Sequence, residues 1–293
     1  MSILQSIFLG LIQGLTEFLP VSSSGHLSIA QNLFHIDTGN SILFNILLHV
    51  ATVLVVIWYF RTDIWMLILA VFGMIGDAAA NVRIRQRNKT LSQPVPLRRI
   101  VKNNYRKYAL LLIVATIPTG IIGVLGKKLI SDASSSLLVP GICLIITGIL
   151  LLVSDRVENT VKIPQDIRYQ EAAIVGIAQG FATLPGLSRS GTTIAASLLC
   201  GFDRMFAVRF SFILSVPAIL GAAILEIGDV GSETITAAAA GTYAAGMITA
   251  AVVGFVCIRI MLATVRKRKT RYFAFYCFAA GILAIAGNFL LRG

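Results

Sequence analysis

Six long runs of apolar residues constrain the fold of this chain more than any other feature. Each is nearly free of charge and has a length within the roughly 17–25 residues that a helix needs to cross a bilayer. Of the 293 residues, 56% are hydrophobic and only 13% are charged, which excludes an ordinary cytosolic enzyme, a disordered protein and a disulfide scaffold. We therefore predict an all-α polytopic membrane protein, a single integral membrane domain over residues 1–293. The runs are Ile42–Phe60, Ala109–Gly126, Leu137–Val153, Phe206–Leu225, Thr234–Ile258 and Phe273–Leu291.

The N-terminus and the cysteines fit the same interpretation. No basic region precedes the first apolar stretch, so the sequence predicts no cleavable signal peptide. Four cysteines lie in apolar stretches without a CxxC pair, and we interpret them as small buried hydrophobic residues rather than disulfides or metal ligands. They are Cys143, Cys200, Cys257 and Cys277.

The positive charge is concentrated in two clusters. The net charge is +12, from 25 Lys and Arg against 13 Asp and Glu. One cluster lies in a loop over residues 77–108, the other at Arg266–Arg271, whereas the connection that holds Glu226, Asp229 and Glu233 has no Lys or Arg. The positive-inside rule places both basic loops in the cytoplasm and the acidic connection outside. Topology thus accounts for the charge, and we expect no nucleic-acid partner.

Three separated blocks of the sequence recur at a constant offset of 166 residues. Residues 10–14 (GLIQG) recur as 176–180 (GIAQG), 22–25 (SSSG) align with 188–191 (SRSG), and 44–50 match 210–216. A constant offset over three blocks indicates a duplication. Repeat one covers about residues 1–154 and repeat two about 170–293.

Each repeat begins with a segment that cannot cross the bilayer. Pro20 and Pro185 interrupt the apolar segments, and the helices that follow, Leu27–Phe34 and Thr193–Gly201, are too short to span at 1.5 Å per residue. We predict two re-entrant helix hairpins with polar tips. Such backbone is tolerated at membrane depth only where it is buried in protein or lines a wet cavity.

The orientation of the repeats depends on one short apolar run, Ile64–Gly76. A run of this length is more often interfacial than spanning. If it lies on the surface, three spans separate the hairpins, which then enter from opposite faces as an inverted repeat. If it spans, the repeat is parallel. We favour the inverted arrangement, with six transmembrane helices, two re-entrant hairpins, tips that meet near mid-membrane and both termini outside.

The first tip carries a carboxylate, an imidazole and three hydroxyls. Glu17 lies four residues after Gln13, so the two share a helix face. An ionisable residue within an apolar hairpin marks a functional site by default, although a purely structural pair with a buried basic group is the alternative. The alternative interpretation of His26 is a buried histidine whose hydrogen bonds are satisfied for structural reasons. Its neighbours favour a chemical role instead. His35 and His49 lack such neighbours and are assigned none. The hydroxyls are those of Ser22, Ser23 and Ser24, followed by Gly25.

The second tip places an arginine among hydroxyls where a new helix begins. We predict Ser190 as the N-cap of that helix, whose exposed N–H groups form an anion site. Arg189 adds a planar fork suited to phosphate oxygens, or neutralises Glu17, or does both with a phosphate between them. The other polar or small residues of this tip are Ser188, Gly191, Thr192 and Thr193.

The combined tips predict phosphoryl chemistry. They supply an anion clamp, a nucleophile or activated water, a general acid or base, and a carboxylate for a divalent cation. Nothing resembles a P-loop, which argues against nucleotide hydrolysis. A transporter or lipid flippase is the alternative, because broken helices in inverted repeats are transporter architecture. The group Glu17, Ser23 and His26 favours hydrolysis, since transport does not require it.

At these residues the sequence resembles the undecaprenyl-diphosphate phosphatase family of integral membrane proteins linked to bacitracin resistance. Gln13 and Glu17 match its first motif, Pro20–His26 match its Pro-x-Ser-Ser-x-Gly-His continuation, and Pro185–Thr193 match its Pro-Gly-x-Ser-Arg-Ser-Gly-x-Thr motif. The resemblance covers essentially the whole chain and implies the inverted-repeat fold with six spans. It departs in one respect: Gln13 stands where many members carry Glu, which lowers the negative charge of the site.

The resemblance also implies an activity and roles for the site residues. The activity is hydrolysis of a polyprenyl diphosphate to the monophosphate plus phosphate with Mg²⁺ or Ca²⁺, which recycles a carrier for cell-wall synthesis in the cell membrane. Glu17, helped by Gln13, would bind the cation, and Ser23 or a water would be the nucleophile, with His26 as acid or base. The polyprenyl tail would stay among the membrane lipids, and a monomer or a homo-oligomer would serve equally. The diphosphate would be held by Arg189, Ser188, Ser190 and Thr193, with Ser22, Ser24, Gly25, Gly191 and Thr192 beside it.

Overall fold

A computed structural model of the chain describes residues 1–34, 36, 41–91, 93–127, 137–228 and 237–290. Within these ranges it contains eleven α-helices and no named strand. The predicted all-α fold is confirmed. The helices are α1 (Ile3–Phe18), α2 (Ser23–Leu33), α3 (Ser41–Tyr59), α4 (Arg61–Asn88), α5 (Asn104–Leu125), α6 (Leu138–Asp155), α7 (Tyr169–Phe181), α8 (Arg189–Leu199), α9 (Arg204–Ile227), α10 (Ala237–Arg266) and α11 (Arg271–Leu290).

Seven of these helices are long and apolar enough to cross a membrane, so the chain is a multi-pass membrane protein. Six of them (α3, α5, α6, α9, α10 and α11) coincide with the predicted spans. The seventh is α4, which corrects the prediction of a short segment: the run Ile64–Gly76 belongs to a continuous helix of 28 residues. Asp229 and Glu233, which the charge argument placed outside the cell, lie outside the described residues.

The hairpin helices are short, as predicted. The helices after the polar tips, α2 and α8, have 11 residues each, and both begin about four residues earlier than the sequence suggested. The helices before the tips, α1 and α7, have 16 and 13 residues and end at Phe18 and Phe181, ahead of the two prolines. At about 1.5 Å per residue, none of the four except α1 approaches the roughly 30 Å of a hydrocarbon core.

The packing of the hairpins repeats at the same offset as the sequence. On α1, a Cβ added to Gly10 would lie 2.3 Å from the carbonyl oxygen of Gly246 on α10. On α7, a Cβ added to Gly176 would lie 2.0 Å from the carbonyl oxygen of Ala115 on α5. The glycines therefore allow backbone-to-backbone contact, the usual way in which membrane helices pack closely. Two glycines that are 166 residues apart therefore make the same kind of contact, each with a different helix.

This close contact makes Gly176 a sensitive position. We expect Gly176→Ala to lower the free energy of unfolding by about 3 kcal/mol, because its methyl group would force α7 and α5 apart. Gly120→Ala on α5 is the matched control, since nothing lies within 4 Å of a Cβ built there. Thermal unfolding in detergent would test both variants, and equal midpoints would contradict the packing argument.

Aromatic pairs and end contacts give the directions of three long helices. Phe44 and Tyr59 of α3 pack on Tyr243 and Phe255 of α10, with ring centroids 5.1 and 5.6 Å apart, so α3 and α10 run parallel. In contrast, α9 begins on the side where α10 ends. The Arg204 guanidinium at the start of α9 donates to the carbonyl of Val157. Asp155, two residues earlier, accepts a hydrogen bond from the Thr270 hydroxyl, just beyond α10, at 2.8 Å. α9 thus runs opposite to α10 and to α3.

The helix α4 crosses the start of α5 instead of running beside it. Asp63 and Asp77 are about 21 Å apart along α4, yet both reach the first turn of α5. The Tyr105 hydroxyl lies 3.4 Å from Asp63 Oδ1, and Arg106 Nη1 lies 2.6 Å from Asp77 Oδ2. The basic loop after α4 is held against it, since Asn81 hydrogen-bonds to the backbone of Arg98 at both N and O.

The largest buried cluster packs against the two helices of the second hairpin, α7 and α8. It includes side chains of α5, α7, α8, α9 and α10 that are fully or almost fully inaccessible, such as Leu111, Val175, Ile194, Phe210 and Ile258. Because α8 contributes Ile194 and Leu198 to this cluster, buried packing fixes the position of the first turn of α8. That turn carries the arginine and hydroxyls of the second tip.

Candidate active site

The polar tips of the two hairpins touch. The Ser22 hydroxyl of the first tip accepts a hydrogen bond from the backbone N–H of Gly186 in the second, at 3.1 Å. Both residues have positive φ angles, 71° and 88°. Ser22 is the notable one, because serine seldom adopts this conformation, and such backbone strain concentrates at functional sites. The predicted meeting of the tips is therefore present, in a buried setting.

Glu17 is the centre of the contact. Its side chain is 7% exposed and lies at the end of α1. Ser23 Oγ donates to Glu17 Oε2 at 2.6 Å, and Gln13 Nε2 donates to the same oxygen at 3.2 Å. Arg189 Nη1, from the second tip, donates to Oε1 at 3.3 Å. A buried carboxylate is stable only when it is paired and hydrogen-bonded, and this one is held by both repeats.

The start of α8 forms the anion-binding side of the site. Its N-cap is Ser188, whose hydroxyl accepts from the backbone N–H of Gly191 at 3.2 Å. The prediction of Ser190 as the cap is wrong: Ser190 is the second residue of the helix, and its hydroxyl lies 3.4 Å from that of Ser188. Thr193 points instead to the carbonyl of Arg189 and to the hydroxyl of Ser211 on α9. The first-turn N–H groups and Arg189 together favour an anion.

Two serines of α9 line the same cavity. The cavity between Glu17 and Arg189 is bounded by Ser211, Ser215, Ser190 and two phenylalanines. These two α9 serines were not predicted from the sequence, although a signal was present. The third repeated block, residues 210–216, contains both, and Ser215 stands 166 residues after His49.

His26 lies apart from the carboxylate. Its Nδ1 is 2.8 Å from the carbonyl oxygen of Ser22, and its Nε2 is 2.6 Å from the hydroxyl of Tyr276 on α11. Of the predicted group, the structure brings Glu17 and Ser23 together and turns the ring of His26 toward Tyr276.

A different histidine faces Glu17. Nε2 of His49, on α3, lies 3.7 Å from Glu17 Oε2, and its Nδ1 lies 2.8 Å from the carbonyl of Asn45. His49 was assigned no role from the sequence, although the rule applied to Glu17 also applies to it: an ionisable residue inside an apolar span is a functional candidate. His35 lies outside the described residues.

The remaining predicted residues surround the tips. Ser24 is exposed, with its hydroxyl 3.5 Å from that of Ser22. A Cβ on Gly25 would lie 3.7 Å from Gly186, and one on Gly191 would lie 3.0 Å from Pro20, so both glycines sit at the junction of the hairpins. Thr192 is buried, and its hydroxyl has no hydrogen-bond partner in the described part of the chain.

Comparison with known proteins adds independent findings. The family model described as bacitracin resistance protein BacA matches residues 6–283. A protein of Alkaliphilus metalliredigens named undecaprenyl-diphosphatase is 39% identical, over 99% of this chain and 100% of its own length. Proteins of the same name from Methanobrevibacter smithii (39%, covering 98% of both chains) and Treponema denticola (41%, covering 96% of both) are also similar.

The family model and these relatives cover the two hairpins and every helix that contributes to the site. Matches of this identity over nearly the full length of both chains establish common ancestry of the whole fold. The chain therefore belongs to the bacitracin resistance protein BacA family.

Proposed function

We propose that the protein hydrolyses undecaprenyl diphosphate to undecaprenyl phosphate and inorganic phosphate in the cell membrane. The observation that carries this proposal is the contact at 3.3 Å between Arg189 and Glu17, one from each hairpin, beside the Ser23 hydroxyl. The relatives named undecaprenyl-diphosphatase supply the substrate. Release of the monophosphate returns the lipid carrier to cell-wall synthesis and thereby confers resistance to bacitracin.

The second tip binds the diphosphate. Arg189 uses one N–H on Glu17, which leaves its other donors for phosphate oxygens. The first-turn N–H groups of α8 and the hydroxyls of Ser188 and Ser190 complete an anion site, with Ser22, Ser24, Gly25, Gly191 and Thr192 forming the adjoining wall. Thr193 supports this turn through its contacts with the Arg189 carbonyl and with Ser211. The polyprenyl tail stays among the membrane lipids, so only the headgroup enters the protein.

Glu17 activates the nucleophile. Ser23 Oγ donates a hydrogen bond to Glu17 Oε2 at 2.6 Å, so the carboxylate can take the hydroxyl proton as the oxygen attacks the terminal phosphorus. The P–O bond of the anhydride then breaks, and the leaving undecaprenyl phosphate takes the electron pair. A water then hydrolyses the phosphorylated Ser23 and releases inorganic phosphate. In the alternative route, Glu17 and Ser23 orient a water that attacks directly. His26 accepts the proton of the attacking water in either route, and isolation of a phosphorylated Ser23 would select the first one.

A divalent cation fits beside Glu17. The Oε1 atom of Gln13 is buried and has no hydrogen-bond partner among the described residues. It belongs to the amide group whose Nε2 donates to the Glu17 carboxylate. Oxygen donors of this kind suit Mg²⁺ or Ca²⁺, which commonly complete their shell with water and substrate phosphate. Glu17 and Gln13 would hold the ion, and bound there it would neutralise phosphate charge.

The charge at position 13 should set the affinity for the cation. We expect Gln13→Glu to lower the Mg²⁺ or Ca²⁺ concentration that gives half-maximal phosphate release by about tenfold, because a second carboxylate strengthens an oxygen-ligand site. The control is Gln5→Glu, which adds the same charge to the same helix at its N-terminal capping box. An unchanged cation requirement in Gln13→Glu would contradict the assignment.

The hairpins belong to an inverted repeat. The helices α3 and α9 correspond at the 166-residue offset and run in opposite directions, which supports entry of the two hairpins from opposite faces. The crossing of α4 over the start of α5 supports a position of α4 at the cytoplasmic surface. Three spans then follow each hairpin, and both termini lie outside.

Purified protein in detergent tests the activity. Phosphate release from a polyprenyl diphosphate, with no release by boiled protein, is the expected result. A transporter or flippase with the same architecture would instead move the lipid across vesicles without releasing phosphate, and that outcome would overturn the proposal.

A further inference from the structure

The Tyr276 hydroxyl contacts Nε2 of His26, whereas the other ring nitrogen, Nδ1, is bound within the first hairpin. The Ser22 carbonyl, 2.8 Å from Nδ1, can only accept, so Nδ1 carries the proton. In the neutral imidazole, Nε2 is then the basic nitrogen, and it accepts from the Tyr276 hydroxyl at 2.6 Å. The tautomer and the acceptor end of His26 are thus fixed by partners on two different helices.

The ring of Tyr276 also fixes the plane of the imidazole. The two rings are nearly parallel, at 18°, with centroids 5.7 Å apart. Next to Tyr276 on α11, the Cys277 thiol lies 3.4 Å from the carbonyl oxygen of Pro20, which holds α11 against the first tip. Tyr276 is 47% exposed, so part of its side chain is not covered by protein.

We propose that Tyr276 is the proton-relay partner of His26 in the hydrolysis, an inference that rests on the proposed function. A tyrosine hydroxyl can donate and accept at the same time. As the attacking water loses its proton to Tyr276 Oη, either in direct attack or in hydrolysis of phosphorylated Ser23, the original hydroxyl proton moves to His26 Nε2. Tyrosine stays neutral and His26 becomes an imidazolium. The reverse transfer supplies a proton to the leaving phosphate, so the pair returns to its starting state.

The hydroxyl can be removed without changing the ring. We expect Tyr276→Phe to lower kcat roughly 10- to 100-fold, within the range of a lost acid–base contribution, while KM changes less than about threefold. Tyr272→Phe on the same helix is the matched control. Its ring packs on the Arg271 guanidinium and is 59% exposed, and its activity should equal that of the natural protein.

A double-mutant cycle shows whether Tyr276 acts through His26. In a His26→Gln background, Tyr276→Phe should cause no further loss, because the residue it serves is already gone. A loss of the same size in both backgrounds, or no loss in either, would overturn the relay.

A spectroscopic readout separates this inference from the proposed activity. In ¹⁵N spectra of histidine-labelled protein, the unprotonated nitrogen of His26, identified by its absence in His26→Gln, should shift in Tyr276→Phe and stay in place in Tyr272→Phe. An unmoved resonance would contradict the hydrogen bond whether or not the protein releases phosphate. If the resonance shifts while the natural protein releases no phosphate from any diphosphate, the contact stands and the proposed hydrolysis fails.

Discussion

Arg189→Lys should lower kcat/KM for phosphate release about 100-fold, and Arg189→Ala about 1000-fold. In the proposed mechanism the guanidinium serves two partners: one N–H donates to Glu17 Oε1 at 3.3 Å, and its other donors bind the phosphate. A lysine ammonium keeps the charge but not the planar fork, so it cannot hold both partners in the same geometry. Loss of one preorganised donor to a developing charge costs about 100- to 1000-fold in other enzymes.

The matched control for this prediction is Arg209→Lys. Arg209 is exposed on α9, the helix that contributes Ser211 and Ser215 to the cavity, and it has no part in the site. Malachite-green assays of released phosphate, at equal amounts of folded protein, would compare the variants. Full activity in Arg189→Lys would mean that charge alone is needed, and full activity in Arg189→Ala would remove Arg189 from the site.

The local features of the fold could be predicted because they depend on neighbours in the sequence. An apolar run has to be buried in protein or cross the membrane, and a proline ends a helix. An offset repeated three times requires two related hairpins. Glu17 was found for the same reason, since its cost inside an apolar segment needs no knowledge of its partners.

The features that were missed depend on contacts between distant parts of the chain. Tyr276 reaches His26 from 250 residues away, and His49 reaches Glu17 from another helix. The N-cap is Ser188 rather than Ser190, and the backbone N–H of Ser188 is fixed by a hydrogen bond to Thr147 Oγ1 at 3.1 Å. None of these pairings leaves a spacing in the sequence, although the position of His49 inside an apolar span marks that residue as a candidate by itself.

The length of α4 has a similar explanation. The apolar run stops at Asp77, where a charge normally ends a buried segment. Here Lys102 Nζ and Arg106 Nη1 lie 2.7 and 2.6 Å from that carboxylate. Because the loop after α4 folds back to neutralise Asp77, the helix continues through it to Asn88.

Glu17→Gln should reduce phosphate release by about 1000-fold and leave the protein folded. The amide keeps the size and planarity of the carboxylate. It cannot take the proton of Ser23, cannot pair with the charge of Arg189 and is a poor ligand for a divalent cation. The same carboxylate makes all three interactions, so the effects of losing them should not add. The total fall in rate should approach that caused by losing the whole acid–base contribution.

The control for Glu17→Gln is a second buried carboxylate with a similar set of partners. Glu171 at the start of α7 is 6% exposed and accepts from Lys162 Nζ at 2.7 Å and from Arg168 Nη2 at 3.0 Å. Glu171→Gln should cost about 1 kcal/mol of stability, because its partners are partly solvated, and should leave kcat unchanged. The two variants therefore separate a carboxylate that anchors the fold from one that acts on the substrate. Phosphate release should fall in Glu17→Gln and stay unchanged in Glu171→Gln. The midpoint of thermal unfolding should fall in Glu171→Gln, whereas Glu17→Gln should stay folded. If Glu17→Gln retains the activity of the natural protein, the nucleophile is activated elsewhere, and the site at the hairpin tips has to be reassigned.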